Sequence, residues 1–385
     1  MAWKRFGLVF AAMLVAAATP ALPTTSVTPV ANAAPTKPVA AAKPATAAVQ
    51  EAPAPVPAAV GAAVAAGPQW QVSVLPRPDG VPDDARAMLG GADGHGGYAG
   101  VVFGKGVNMT LTTWTVDGAV MHDAPDGYDT PSVYGESDDD TILLQEHSTD
   151  AAGALKIFTF DGADYNLVPI GSYGQYDDVR ATVIGPRGDL AGYVSKSGDA
   201  MNPVPLYWPA PNQQPTELKG ALPHSTPKAV DDDGTVLMED LIDGPYLLKD
   251  GVVTKLALPP GASSTTPVAL RHGVVVGYAE VSGSPQLAGV LWKSPDAPQL
   301  PDKATTLLAV TSFGMSVGVD GTQPAVWSGT REVAQLSLPD GYTDSEVRFI
   351  DEDGTVGGMV AVGPISEPEN YHGGWPAVWR MQSQG

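Results

Sequence analysis

Apolar and polar positions along this chain follow one phrase seven times over. An apolar stretch runs into a turn rich in Asp and Gly. A Gly/Val stretch follows, then a loop, a short run usually ending in an aromatic residue, a second turn and another apolar run. The short runs end at Trp114, Phe160, Trp208, Leu248, Trp292, Trp327 and Trp379, between 35 and 52 residues apart, the spacing of four-stranded propeller blades. The pattern predicts an all-β chain: a seven-bladed β-propeller of four-stranded antiparallel blades.

The sixth unit shows the phrase most plainly. Its four strands are expected over residues 305–311, 315–319, 323–327 and 332–338. The seventh opens with a strand over 346–350 and then the turn Asp351-Glu352-Asp353-Gly354, followed by a strand over 355–360. Asp and Gly tolerate the left-handed backbone of a tight hairpin, which accounts for their recurrence at Asp231-Asp232-Asp233-Gly234 and Gly185-Pro186-Arg187-Gly188. Glycines in the second strand of each unit, such as Gly192, Gly277 and Gly358, are expected where neighbouring blades approach closely.

The termini complete the count. The seventh unit ends at Pro376-Ala377-Val378-Trp379-Arg380, a third strand with no fourth behind it. Trp70-Gln71-Val72-Ser73-Val74-Leu75-Pro76 reads as a fourth strand with nothing before it, and it aligns end to end with Val333–Pro339 and Val253–Pro259. The N-terminal strand is therefore expected to complete the last blade, which removes the sheet edges that invite aggregation.

The turn Asp351-Glu352-Asp353-Gly354-Thr355-Val356 followed by Pro376-Ala377-Val378-Trp379 resembles the secreted HAF-type repeats of bacteria, over residues about 68–381. Leu248 in place of an aromatic, and Ser137-Asp138-Asp139-Asp140 without the turn glycine, depart from that phrase. The resemblance implies an extracellular propeller and supplies no catalytic residues.

Outside the repeats, Lys4 and Arg5 precede an uncharged, mostly apolar run, and Ala31-Asn32-Ala33 offers a small-x-small cleavage pattern. Residues 1–33 read as a signal peptide, residues 34–67 as a disordered Ala/Pro-rich tether, and residues 68–385 as the propeller. Pro20 and Pro23 interrupt the apolar run too early for a membrane anchor. No membrane insertion is expected after cleavage, and the protein is expected to be secreted, extracellular or associated with the cell envelope.

The formal net charge is −21. Lys4, Arg5, Lys37 and Lys43 all precede the repeats, as does only Glu51 among the acids, so the repeat region is more acidic still. Such a surface repels phosphate backbones, and no nucleic-acid partner is expected. With no cysteine in the chain, thiol nucleophiles and zinc–thiolate sites are excluded.

Catalytic motifs are scarce. Gly314-Met315-Ser316-Val317-Gly318 matches Gly-x-Ser-x-Gly, but Ser316 is expected inside a strand with no helix after it, where a nucleophile elbow does not form. Ser148-Thr149-Asp150 has the wrong spacing for a sialidase Asp box. The Asp-rich turns leave calcium as a candidate ion, without the ligand spacing of an EF-hand; no other cofactor is expected.

The loops entering each innermost strand are the candidate binding rim. Pro78-Asp79-Gly80-Val81-Pro82-Asp83, Pro125-Asp126-Gly127-Tyr128-Asp129 and Pro339-Asp340-Gly341-Tyr342-Thr343-Asp344 read alike, and Tyr173, Tyr176 and Asp177 stand in a fourth. The last long loop, residues 365–375, adds Tyr371, His372 and Trp375. Tyrosine gives large contact area at small entropy cost, and carboxylates pair with cations or sugar hydroxyls; turn chemistry alone also explains these residues. The favoured reading is an extracellular binding or scaffold module, a monomer, holding a protein, glycan or cationic ligand on this face. Two alternatives stay open: a secreted hydrolase or lyase with carboxylates at the channel mouth, and a structural envelope component with no defined ligand.

Overall fold

Every described strand belongs to one of seven antiparallel four-stranded sheets. The computed structural model describes residues 69–150, 154–174, 176, 178–196, 199–365 and 372–382. The expected signal peptide and tether lie outside the described residues, as do Asp177 and Tyr371. Among the described residues there is no helix, and none is long and apolar enough to cross a membrane.

Blade 1 comprises β2 (Arg86–Ala92), β3 (Tyr98–Gly104), β4 (Val107–Trp114) and β5 (Ala119–His122). Blade 2 comprises β6 (Tyr128–Glu136), β7 (Ile142–Ser148), β8 (Leu155–Phe160) and β9 (Tyr165–Leu167). Blade 3 follows with β10 (Asp178–Ile184), β11 (Leu190–Lys196), β12 (Asp199–Trp208) and β13 (Thr216–Glu217). Blade 4 has β14 (Ser225–Val230), β15 (Val236–Asp240), β16 (Gly244–Lys249) and β17 (Val252–Lys255). Blade 5 has β18 (Ala262–Arg271), β19 (Val274–Val281), β20 (Leu287–Trp292) and β21 (Pro298–Gln299). Blade 6 has β22 (Ala304–Val310), β23 (Met315–Asp320), β24 (Gln323–Ser328) and β25 (Arg331–Gln335). Blade 7 is β26 (Asp344–Ile350), β27 (Val356–Val362) and β28 (His372–Met381), finished by β1 (Trp70–Val74) in the order β1-β28-β27-β26.

Ring closure through the N-terminal strand is thus as the repeat pattern predicts, but its register differs by two residues. The Leu75 N–H donates to the Pro376 carbonyl at 2.8 Å, as Leu336 does to Pro324 at 2.8 Å and Leu256 to Pro245 at 3.0 Å. Leu75 therefore stands for Leu336 and Leu256, not for the leucines two positions later that precede proline. A shift of two keeps every side chain on its own face, so the apolar pattern could not distinguish the alternatives.

The seams between blades hold the core. Leu143 and Ile157 of blade 2 pack with Leu190, Leu206 and Trp208 of blade 3, and similar clusters fill the other seams. The aromatic that ends the third strand does more than fill space. Trp208, Trp292, Trp327 and Trp379 each donate an indole N–H to a carbonyl of the preceding blade, at Pro169 (2.7 Å), Ala257 (2.8 Å), Asp302 (2.9 Å) and Ser337 (2.7 Å). Each indole thus buries its rings and satisfies its one donor in the same seam.

In six blades the turn after the innermost strand is tight and glycine-bearing, as expected. Gly354 has φ +84° and Gly234 φ +78°. In blade 2, where the glycine is missing, Asp140 takes the left-handed conformation instead, with φ +63°, as Asp tolerates better than most residues.

Candidate functional site

In every blade the innermost strand carries a β-bulge past its middle, and those of blades 2, 5 and 6 carry a second nearer their start, at Asp129/Ser132, Ala262/Ser264 and Ala304/Thr306. The register against the second strand shifts at Leu89/Gly91, Val133/Gly135, Ala181/Val183, Pro227/Ala229, Pro267/Ala269, Leu307/Ala309 and Val347/Phe349. A bulge leaves one residue unpaired and re-aims its side chain. Here the residue passed over is Gly90, Tyr134, Thr182, Lys228, Val268, Leu308 or Arg348, and all but Gly90 line the central channel.

Five of the second-strand glycines exist for this bulge. A Cβ on Gly100, Gly192, Gly277, Gly318 or Gly358 would stand 1.9–2.1 Å from a carbonyl oxygen of the innermost strand of its own blade. The close approach expected between blades is therefore mainly within each blade, because the bulged backbone swings over its neighbour. Gly357 does serve a blade seam: its Cβ would stand 2.7 Å from the Tyr98 ring.

Two residues beyond the bulge lies a second layer of the channel wall. Ala92, Ile184, Val230, Leu270, Val310 and Ile350 are apolar, and Glu136 is the one ionisable member. The turns that follow close a mouth around a cavity of about 350 Å³ that all seven blades line. Arg271 of blade 5 spans this mouth. Its guanidinium donates to Asp138 of blade 2 at 2.7 and 3.3 Å and to Glu352 of blade 7 at 3.1 Å, with Asp232 of blade 4 at 3.8 Å. Glu352 is fixed in turn by the Ser312 hydroxyl at 2.7 Å, and these partners hold its carboxyl below the usual glutamate range despite burial.

Blades 7, 1 and 2 contribute an arc of further carboxyls without such a cation. Glu136 Oε2 is out of contact with water and meets no hydrogen-bond donor. Burial, reinforced by the charges of Asp93, Asp140 and Asp351, pushes its pKa up to about 8. Asp351 is 2% exposed; its Oδ2 accepts the Tyr98 hydroxyl at 3.0 Å, whereas its Oδ1 has no partner. Burial raises Asp351 to about 7, with the Tyr98 bond pulling the other way and Asp353 and Asp93 adding to the rise. Asp140 is also raised, by desolvation and by a hydrogen bond shared with the Asp93 carboxyl. Asp93 accepts the backbone N–H of His95 at 2.6 Å and of Gly97 at 2.9 Å.

The expected tyrosine rim lies at the opposite end of the innermost strands, since β6 runs from Tyr128 to Glu136. Tyr128 is partly buried edge-on against Phe158, with centroids 5.0 Å apart. Tyr173 and Tyr176 pack on the seam of Trp208, and the Tyr173 hydroxyl donates to the Pro215 carbonyl at 3.4 Å. Tyr342 packs on the seam of Trp379. Trp375, expected in a loop, lies within β28 and is 1% exposed; its indole donates to the Leu75 carbonyl at 3.0 Å and meets Trp114 edge-on at 6.4 Å. Long aromatic side chains at blade edges fold inward because the seams offer apolar surface. Asp83 and Asp129 are exposed, and Asp344 is held by the Ile365 N–H at 2.7 Å. His372 begins β28.

Ser316 lies in β23, fully buried, and no helix follows it among the described residues, so no nucleophile elbow forms. Among the described residues no three His, Asp or Glu side chains are grouped to hold a metal ion. The channel-mouth carboxyls were missed by sequence reasoning because they follow ordinary turn chemistry. Only the lone Glu136 at an otherwise apolar strand position signals them.

No protein-family model matches this sequence, and no curated protein matches it significantly. Solved structures of similar fold include prolyl oligopeptidase B from Galerina marginata, at 10% identity and TM-score 0.47, covering 75% of this chain and 50% of that one. TolB from Acinetobacter baumannii is 12% identical with TM-score 0.39, covering 80% of this chain and 66% of that one. A puromycin-hydrolyzing peptidase of Mycobacterium tuberculosis is 12% identical with TM-score 0.44, covering 76% and 49%. This chain spans about half the length of the two peptidases, and at such identity no activity is carried over from them.

Proposed function

We propose that this protein is an exported binding module whose ligand enters the central channel at the mouth ringed by the turns after the innermost strands. The observation that supports this reading is the cavity of about 350 Å³ with wall residues from all seven blades. Bulges that recur in every blade turn side chains into that space, and a concave site with few convergent polar groups is how small ligands are held. The carboxyls of blades 7, 1 and 2 favour a cationic or hydroxyl-rich ligand over an anionic one. In this reading residues 1–33 direct export and residues 34–67 tether the ring at the cell envelope, in keeping with the resemblance to HAF-type repeats. The opposite face, with Asp83, Asp129 and the partly buried tyrosines, is the secondary surface for a protein or glycan.

One observation favours the hydrolase or lyase reading as well. Glu136 and Asp351 line the same cavity, and near neutral pH Glu136, raised to about 8, keeps its proton while the Glu352 carboxylate bound to Arg271, held below its usual range, stays ionised. Paired acids in different protonation states are what general acid–base chemistry needs. An unbiased screen of glycans, amines and secreted peptides against the full chain, read by both binding and turnover, tests the two together. Binding that survives occlusion of the channel by Val268→Trp and Leu308→Trp would overturn the proposed location.

A further inference from the structure

We infer that the carboxyl arc of blades 7, 1 and 2 is a recognition site for an organic ammonium or guanidinium group, such as the side chain of lysine or arginine or the end of a polyamine. This rests on the binding role proposed for the channel and names its ligand class. Two acidic side chains on different blades, Glu136 and Asp351, face one cavity, and each carries a buried oxygen without a hydrogen-bond donor. Asp351 is almost wholly withdrawn from water, so its empty acceptor is costly unless a ligand fills it. Folded proteins rarely leave such acceptors empty.

The mouth already shows which donor suits it. Arg271 supplies a guanidinium to Asp138 and Glu352 across the channel, and fork-shaped donors fit carboxylates on two sides at once. The arc beside it offers acceptors of the same kind, with His95 the basic side chain near Asp140 and Asp351 and Arg348 of the same wall engaged by Glu346 and the Leu89 carbonyl: Asp93 is occupied by backbone N–H groups, and Tyr98 serves only one oxygen of Asp351. An ion that needs three close carboxylates finds no such group among the described residues. A cation with several N–H donors can instead bridge acceptors spread over three blades. The apolar layer of Ala92, Ile184 and Ile350, which shares the cavity wall with Glu136, suits the methylene stem of such a ligand.

Titration calorimetry of the full chain with agmatine and with spermidine tests this. The expected result is one-to-one binding that Glu136→Gln with Asp351→Asn weakens at least about tenfold, since these partners are desolvated. Removing two exposed charges instead, with Asp117→Asn and Asp164→Asn, should leave affinity within about twofold, which separates a site from the general attraction of an acidic surface. Equal affinity in the buried-site variant would overturn the inference, as would failure of the wild type to bind either amine. If both amines fail but the screen finds a neutral ligand in the channel, the binding role stands and only the ligand class falls. Circular dichroism checks that the double variant folds; if it does not, Glu136→Gln alone carries the test.

Discussion

Val72 stands opposite Trp379 in the outer strand pair of blade 7, so the first described strand of the ring is fastened to the last. Trp375 reinforces the seam by donating to the Leu75 carbonyl, and Trp70 by donating to the Gly354 carbonyl at 3.0 Å. A chain that begins at residue 77 should therefore lose its closure, expose the edge of β28 and aggregate. One that begins at residue 69 should melt as the full chain does. Light scattering after gel filtration decides it: a monodisperse, cooperatively melting chain from residue 77 would refute closure as a source of stability.

The bulge makes a second prediction, through two glycines of one hairpin. Gly277→Ala would place a methyl 2.1 Å from the Thr266 carbonyl oxygen, which backbone must move to relieve. Gly273→Ala meets nothing within 4 Å but sits at φ +75°. The first should cost about 3 kcal/mol or more, as overpacking against rigid structure does. The second should cost about 1 kcal/mol, the usual penalty for a left-handed alanine. Denaturant midpoints of the two variants check the order, and equal costs would sink the account of the bulge.

Blade count, the Asp-Gly turns and closure by the N-terminal strand were all legible in the sequence, because each rests on local chemistry repeated from unit to unit. The bulges were not. An unpaired residue such as Thr182 or Val268 looks like any other strand residue, and only the pairing partner reveals that it was passed over. Tyr128 and Trp375 misled for a related reason. Beside a Pro-Asp-Gly turn or in a long loop, an aromatic reads as a surface group, whereas the seam a few ångströms away offers it apolar cover. Glu136 carried the reverse signal, a charge at a strand end where the other blades place apolar residues.

Glu146 gives a stability prediction with a definite sign. It is 0% exposed, and neither carboxyl oxygen has a partner. Burial first, then the Asp129 charge, raises its pKa from 4.5 to about 7. A raised carboxyl pKa means the unfolded chain ionises more readily than the folded one. The fold therefore loses stability as pH rises from about 4.5 to about 7, by on the order of 3 kcal/mol at the end of that span. Glu146→Gln should remove the loss, raising the melting temperature at pH 8 while changing it little at pH 4. An identical effect at both pH values would show that Glu146 finds a partner in solution.

The channel mouth predicts a pH dependence of amine binding and its modulation by Arg271. Agmatine keeps both charges below pH 9, given the ordinary pKa of ammonium and guanidinium groups, so the protein alone sets the dependence. Glu136, at about 8, must lose its proton to pair with a cation, and Asp351, at about 7, must do likewise. Asp93 and Asp140 surround Glu136 with the same sign of charge, whereas His95 acts in the opposite direction on Asp140 and Asp351. Affinity should therefore rise with pH, by about tenfold or more between pH 6 and pH 8, with proton release on binding. Glu136→Gln should flatten the rise. Arg271→Gln should act differently, since it frees Asp138 and Glu352 from their resident cation. That variant should be destabilised by only about 1 kcal/mol, because Asp138 and Glu352 are each about a third exposed and solvent screens them, yet bind agmatine more tightly than the wild type. Calorimetry in two buffers of different protonation enthalpy measures the proton release. Binding that is flat across pH 6–8 would place the amine elsewhere on the acidic surface.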